Sequence, residues 1–169
     1  DFLYVAADQV FNQIAKMRHM FGGELAVPLV LRAKVAAKSG YGSQHSMDPS
    51  GLFAQFPGWR IIAPSTPYDY VGLMNSALLC EDPVLVVEHL DLYQSTGPAP
   101  SQDLDYFIPL GKAKVVRKGE DFTVLASLAM VTPCIEMAEE AGIDAEVIDL
   151  RTLDRANLDW KTIGDSVRK

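Results

Sequence analysis

Apolar positions at helical spacing open the chain. From about residue 8 to residue 19, Val10, Phe11, Ile14, Ala15 and Met17 form a stripe with polar residues between them. Gly22 and Gly23 end it, because glycine closes a helix in the left-handed conformation without a Cβ penalty. Residues 27–31 are apolar at successive positions, which predicts a short strand buried on both faces. Pro28 is acceptable there because it stands at the strand's start. Residues 52–56 predict a short helix stopped by Pro57 and Gly58, and residues 59–63 a second strand. Next comes a helix start, with Ser65 or Thr66 as cap, Pro67 at the first helical position and Asp69 in the first turn. That helix runs through Val71, Leu73, Met74, Ala77 and Leu78, and residues 83–88 predict a third strand.

Residues 94–105 are rich in Ser, Pro, Gly and Asp and read as a linker. Beyond them the pattern restarts. Residues 111–117 alternate as a strand or arm, 118–121 form a turn, and 122–128 predict a buried strand. A helix over 133–141 follows, with Thr132 as cap and Gly142 as stop, then a strand at 145–150 and a last helix beginning at 158–163. Strands alternating with helices imply right-handed βαβ units, a parallel sheet and an α/β fold. The expected organisation is one domain over 1–105 and the first part of a second over 106–169. In such sheets ligands bind in the loops at the carboxyl ends of the strands, which is where the loop over 34–49 falls.

Composition narrows the class. At 49% hydrophobic and 22% charged residues, the 169-residue chain can bury a core. A net charge of −7 argues against nucleic acid and anionic membranes as partners. No apolar run is long enough for a membrane helix. Cys80 and Cys134 lack metal-ligand spacing, so a zinc site and a disulfide framework are not expected. The first residues carry no initiator methionine and no cap, and the last stop just after a helical pattern. Both ends read as those of a piece of a longer chain.

Chemistry concentrates in the 34–49 loop. His45, within Gly42-Ser43-Gln44-His45-Ser46, can act as acid, base or phosphate donor. Lys34 and Lys38 flank it as possible partners for an anion, against the plainer reading of solvated lysines. Gly40 and Gly42 form no recognised phosphate loop. His19 sits near a helix end, where the dipole favours it. His89 follows a strand, where a hydrogen-bonded structural role is expected. The residues by themselves define an α/β ligand-binding domain and no catalytic triad.

An ordered series of segments goes further. Val27-Pro28-Leu29-Val30-Leu31-Arg32 resembles a VPLVIR strand, and Gln44-His45-Ser46 an AQHS loop. The stretch from Pro57 to Asp69 resembles PGLKVV-PSTPYD. Asp82-Pro83-Val84 and Glu88-His89 match DPV and EH, while 108–113 and 147–152 match IPLGKA and VIDLRT. Asp1-Phe2 with Asp8-Gln9 and 15–18 resembles an ADF…DQ…EAAK-R segment. Together these resemble the beta subunit of the decarboxylating component of 2-oxo acid dehydrogenases, of the pyruvate, branched-chain and acetoin types.

The resemblance implies a transketolase-like architecture: the later part of a pyrimidine-binding domain, then the start of a C-terminal domain. It implies thiamine diphosphate shared with an alpha subunit, which would hold magnesium and the diphosphate in an alpha2beta2 assembly. No metal ligands are implied on this chain. Phe2 falls where the family stacks an aromatic on the pyrimidine, and His45 falls on its active-site histidine. The implied reaction is oxidative decarboxylation of a small 2-oxo acid, with acyl transfer to the lipoyl groups of an acyltransferase core. Acetoin cleavage is the close variant, and a non-catalytic assembly module is the alternative. The implied compartment is the bacterial cytoplasm or the mitochondrial matrix. The family's cofactor-activating glutamate would lie before Asp1, so these residues alone are expected to be inactive. After Arg32 the family tends to read R-G-P-x-G, whereas this chain has Ala33 and Lys34. Cys80 stands where an aspartate is common, so no potassium site is expected.

Overall fold

The computed structural model describes residues 2–37, 40–98 and 104–169. A single turn at Leu3–Ala6 leads into a wide, π-wound segment, Asp8–Ile14, which tightens into α1 (Ala15–Met20). The predicted glycine stop is present. Gly22 and Gly23 have φ of 63° and 86°, and the Gly23 N–H donates to the Arg18 carbonyl at 2.8 Å. In the wide segment the Val10 carbonyl accepts the Trp59 indole N–H at 2.8 Å.

Three strands form a parallel sheet in the order β1-β3-β2: β1 (Val30–Val35), β2 (Arg60–Ile62) and β3 (Val84–His89). The first strand lies three residues later than the apolar run predicts. Pro28 has no N–H to give, and the Leu29 N–H is spent on the Val27 carbonyl at 2.8 Å, so the regular ladder starts at Val30. The strand also runs on through Arg32 and Lys34. Leu31, Ala33 and Val35 face one core, whereas Arg32 and Lys34 point to the other side. Lys34 is therefore a strand residue rather than a loop residue.

Both faces of this sheet are covered. One face carries Ala33, Val35, Ile61, Leu85 and Val87 under the 8–20 segment and α2 (Ser50–Phe53). Here Phe53 and Trp59 are fully buried, with ring centroids 5.1 Å apart. Each such aromatic pair adds about 0.5–1.5 kcal/mol beyond its buried area. The other face carries Ile62, Val84 and Val86 under α3 (Pro67–Leu78). Thr66 caps α3, its hydroxyl accepting the Asp69 N–H at 3.1 Å, and Pro67 follows at the first position. The segment after the linker lies along α3. The Ile108 N–H reaches the Gly72 carbonyl at 3.0 Å, and the Asn75 amide reaches the carbonyls of Leu104 and Tyr106. Of the expected linker, residues 99–103 lie outside the described residues, as does Lys38 in the earlier loop.

The second sheet is mixed, not purely parallel. Its order is β4-β6-β5, from β4 (Lys114–Arg117), β5 (Phe122–Ala126) and β6 (Ala145–Asp149), with β4 antiparallel to β6. β5 stops at Ala126, because Leu128 takes a positive φ of 53° and opens a turn. That turn starts α4 (Val131–Glu140) two residues early. Met130 then occupies the cap position with no side-chain bond, so Thr132 is not the cap. α5 (Trp160–Val167) closes the chain, capped by Asp159.

The two sheets meet along the edge of β2. The Ala63 N–H donates to Arg151 O at 2.8 Å, the Leu153 N–H to Ile61 O at 2.9 Å, and Ile62 pairs with Thr152. Arg151 holds a φ of 56° there, and its guanidinium reaches Asp69 at 2.5 Å. Gly58 lets the backbone of α1 approach: a Cβ on it would stand 1.7 Å from the Ala15 carbonyl oxygen. Gly58→Ala is therefore expected to cost about 3 kcal/mol, the upper end of overpacking penalties, because rigid backbone must move. A urea unfolding midpoint within error of the parent's would show the contact to be slack.

Candidate functional site around Phe2 and His45

The loop after β1 carries His45 over the carboxyl edge of the parallel sheet. Asp48 fixes its far end by accepting the Ser50 N–H at 2.8 Å, and the buried Phe53 anchors α2 beneath it. Within the loop, the His45 N–H reaches the Gly42 carbonyl at 3.3 Å. Phe2 arrives from the other direction, just ahead of the Leu3–Ala6 turn. The rings of Phe2 and His45 meet edge to face, with centroids 5.5 Å apart and an interplanar angle of 78°. The fold thus brings together two residues 43 positions apart that the sequence points to separately. Phe2 keeps 64% of its surface exposed, and a phenyl ring left largely in water forgoes on the order of 1–2 kcal/mol of burial. An exposed aromatic beside a histidine suits a planar heterocycle that stacks on one and exchanges protons with the other.

The remaining sequence candidates scatter. Lys34 lies at the end of β1 with its ammonium 4.4 Å from the centre of the Tyr41 ring. His89 Nδ1 accepts the Asp91 N–H at 3.3 Å, a cap on the next turn. His19 lies in the last turn of α1. Cys80 and Cys134 are half-buried thiols. Among the described residues no group of three or more His, Cys, Asp or Glu is placed to hold a metal ion, and no helix is long and apolar enough to cross a membrane.

A second polar cluster was not singled out by the sequence. It lines a cleft of about 550 Å³ with Arg32, Thr66, Tyr70, Glu88 and Tyr93 on its walls. Glu88 accepts from Arg32 Nε at 2.6 Å, Arg32 Nη2 at 3.1 Å, the Tyr70 hydroxyl at 2.7 Å and the Tyr93 hydroxyl at 2.9 Å. Burial pushes the Glu88 carboxyl up, but the bonds from Arg32 and both tyrosines outweigh it and hold the group below its usual range. Burial, and then the bond to Glu88, push Tyr70 up to about 12. The signal was present in the sequence. A carboxylate ending the apolar run 84–87 requires a partner, and the neighbouring parallel strand offers two cations on that face, Lys34 opposite Glu88 and Arg32 two residues before it; the structure uses Arg32.

Residues 1–96 match the family model for the transketolase pyrimidine-binding domain, and residues 111–169 match that for the transketolase C-terminal domain. The chain belongs to the transketolase family. It is 43% identical over 170 residues to the acetoin:2,6-dichlorophenolindophenol oxidoreductase beta subunit of Cupriavidus necator, covering 99% of this chain and 49% of that protein. It is 40% identical to the pyruvate dehydrogenase E1 beta subunit of Bacillus subtilis, covering 99% and 52%. It is 38% identical to the mitochondrial pyruvate dehydrogenase E1 beta-1 subunit of Arabidopsis thaliana, covering 100% and 47%. The chain thus spans about half the length of these relatives. A split-gene transketolase solved as an inactive beta4 tetramer superposes with a TM-score of 0.65 at 20% identity, over 94% of this chain and 51% of that one. That likeness concerns the fold.

The Glu88 cluster makes a pH prediction. Glu88 is depressed in the folded state, so its stabilisation is full above the unfolded carboxylate range and is lost as pH falls through the folded value. Tyr70 is raised, so its contribution is full below about pH 10, the unfolded phenol value, and is lost as pH rises through about 12. Unfolding midpoints should fall at both extremes. Glu88→Gln should flatten the acid limb and Tyr70→Phe the alkaline one; parallel curves for parent and variants would contradict the network.

Proposed function

We propose that this chain forms part of the beta subunit of a thiamine-diphosphate-dependent 2-oxo acid dehydrogenase. The observation that carries this reading is the Phe2–His45 ring pair at the carboxyl edge of the sheet, in a chain whose relatives bear pyruvate and acetoin dehydrogenase names. The domain division near residue 105 is part of the same proposal. So is an alpha subunit completing an alpha2beta2 assembly and holding the diphosphate and magnesium. A lipoyl-bearing acyltransferase core would receive the acyl group, in the bacterial cytoplasm or the mitochondrial matrix.

Phe2 would hold the aminopyrimidine by stacking, which orients a planar ring without demanding charge. When bound, thiamine diphosphate supplies the electron sink for loss of carbon dioxide. His45 would keep or move the proton at the acyl oxygen as the acyl group passes to the lipoyl sulfur, with its imidazole meeting Phe2 edge to face. No glutamate of these 169 residues matches the family's cofactor-activating carboxylate, so these residues alone are not expected to turn over. Acetoin cleavage is the second reading, favoured by the 43% identity to an acetoin oxidoreductase beta subunit.

The test uses the full subunit assembled with its alpha partner. His45→Ala should cut acyl transfer to lipoamide by about 100-fold or more, as loss of general acid–base catalysis does, with the thermal midpoint unchanged. Phe2→Ala should weaken cofactor binding by about tenfold, the stacking contribution of one aromatic pair. Assays with pyruvate, branched 2-oxo acids and acetoin separate the two readings. Full acyl transfer by the His45 variant would withdraw the assignment.

A further inference from the structure

His45 sits on a loop, yet a proton-handling group must be held to within a fraction of an ångström to be useful. The question is what fixes it. The cleft at Glu88 offers nothing, because its carboxylate already accepts four bonds and its arginine is committed to that carboxylate. Lys34 is different. It leaves the rigid end of β1, where the backbone is paired in register with Glu88. Its ammonium lies over the Tyr41 ring at 4.4 Å, four residues before His45. It also lines a small crevice with Leu3, Tyr4, Met47 and Pro49. Two of these, Met47 and Pro49, follow His45 in the same loop, and Leu3 and Tyr4 directly follow Phe2.

The Lys34 side chain therefore touches the loop before His45, and the residue shares a crevice with the loop after it and with the turn that follows Phe2. The tyrosine it grips stands between Gly40 and Gly42, both at φ of 76°. Those two residues bend the backbone in a conformation that contributes no side-chain packing of its own. A cation over an aromatic face adds a hold there.

From this arrangement we infer that Lys34 and Tyr41 are positioning residues for His45, forming a cation–aromatic pin that sets the imidazole against Phe2. The inference rests on the function proposed for His45. Lys34 itself touches no reacting atom in this role. Its ammonium acts through Tyr41. The pin is peculiar to a chain with lysine at this position, since proline there has no charge to place over a ring.

The test measures hydrogen exchange and steady-state rates in the full subunit assembled with its alpha partner. Lys34→Met keeps the stem and removes the charge, and Tyr41→Leu removes the ring. Each should lower amide protection across residues 40–47 by about two- to fivefold, the range for an exposed cation–aromatic contact. Each should lower kcat for acyl transfer by a similar factor, leave KM for the 2-oxo acid unchanged and leave the thermal midpoint in place. Lys34→Arg and Tyr41→Phe should restore both readouts, because either keeps a cation over a ring. Unchanged protection in Lys34→Met and Tyr41→Leu overturns the pin. Lowered protection with undiminished kcat overturns the positioning role. If His45→Ala also transfers acyl groups at the parental rate, the fault lies with the reading of His45, and loss of protection alone then upholds the pin.

Discussion

The open edge of β2 is the constraint on which the rest of this architecture depends. A strand at the rim of a sheet presents unpaired N–H and C=O groups that must find partners once buried. Here the partner comes from the second half of the chain. Residues 151–153 run back along β2 and pair at Ile61, Ile62 and Ala63, while Asp154 accepts the Ile61 N–H at 3.2 Å. The joint between the two sheets is thus made of backbone bonds whose positions cannot slide. Side chains then lock it. Ser65 donates to Asp149 at 2.5 Å, and Arg151 reaches Asp69 across the seam. Burial pushes the Asp149 carboxyl up against the pull of Ser65 and the Arg151 N–H, so its ionisation costs the fold stability as pH rises through the folded value, in the direction opposite to the Glu88 cluster, although those two bonds favour the charged form.

The candidate site inherits its rigidity from the sheet. β3 is the central strand, buried on both faces, and its last residues present Glu88 to the end of β1. Arg32 is held there, so the strand leaves the sheet at Val35 in a fixed direction and the His45 loop starts from a defined point. Phe2 comes from a turn packed beside the aromatic cluster of Phe11, Phe53, Phe56 and Trp59. The two rings meet because the turn after Phe2 and the helix that ends the His45 loop pack on the same core.

Much of this was legible along the chain. The alternation of strands with helices, the Thr66-Pro67 helix start and the Gly22–Gly23 stop follow from local chemistry and are present in the structure. The errors share one cause, which is tertiary pairing overriding local pattern. β1 runs through Arg32 and Lys34 because β3 offers a full-length partner and Glu88 offers a counter-charge. α4 starts before Thr132 because Leu128, with only 5% of its surface exposed, is drawn into the first sheet's core and turns the chain early. β4 runs antiparallel because a short turn joins it to β5 while β6 lies between them. Phe2 and His45 could be named from their segments, but their contact could not, since no periodicity links residues that far apart. The Glu88 network was hidden for the same reason: its members come from β1, α3, β3 and the turn after it.

The charges on β1 have a consequence for how the chain behaves in concentrated solution. Arg32 and Lys34 on one outer strand, with Pro28 just before it, disfavour the docking of a foreign strand, because charge and a missing N–H both spoil a continued ladder. β5, the outer strand of the other sheet, has the sequence Phe122-Thr123-Val124-Leu125-Ala126, with Phe122 and Leu125 exposed and no charge among the five. The molecule is therefore lopsided in its stickiness. Left uncovered, it would self-associate through β5, and a single lysine at Leu125 is the most economical gatekeeper against that.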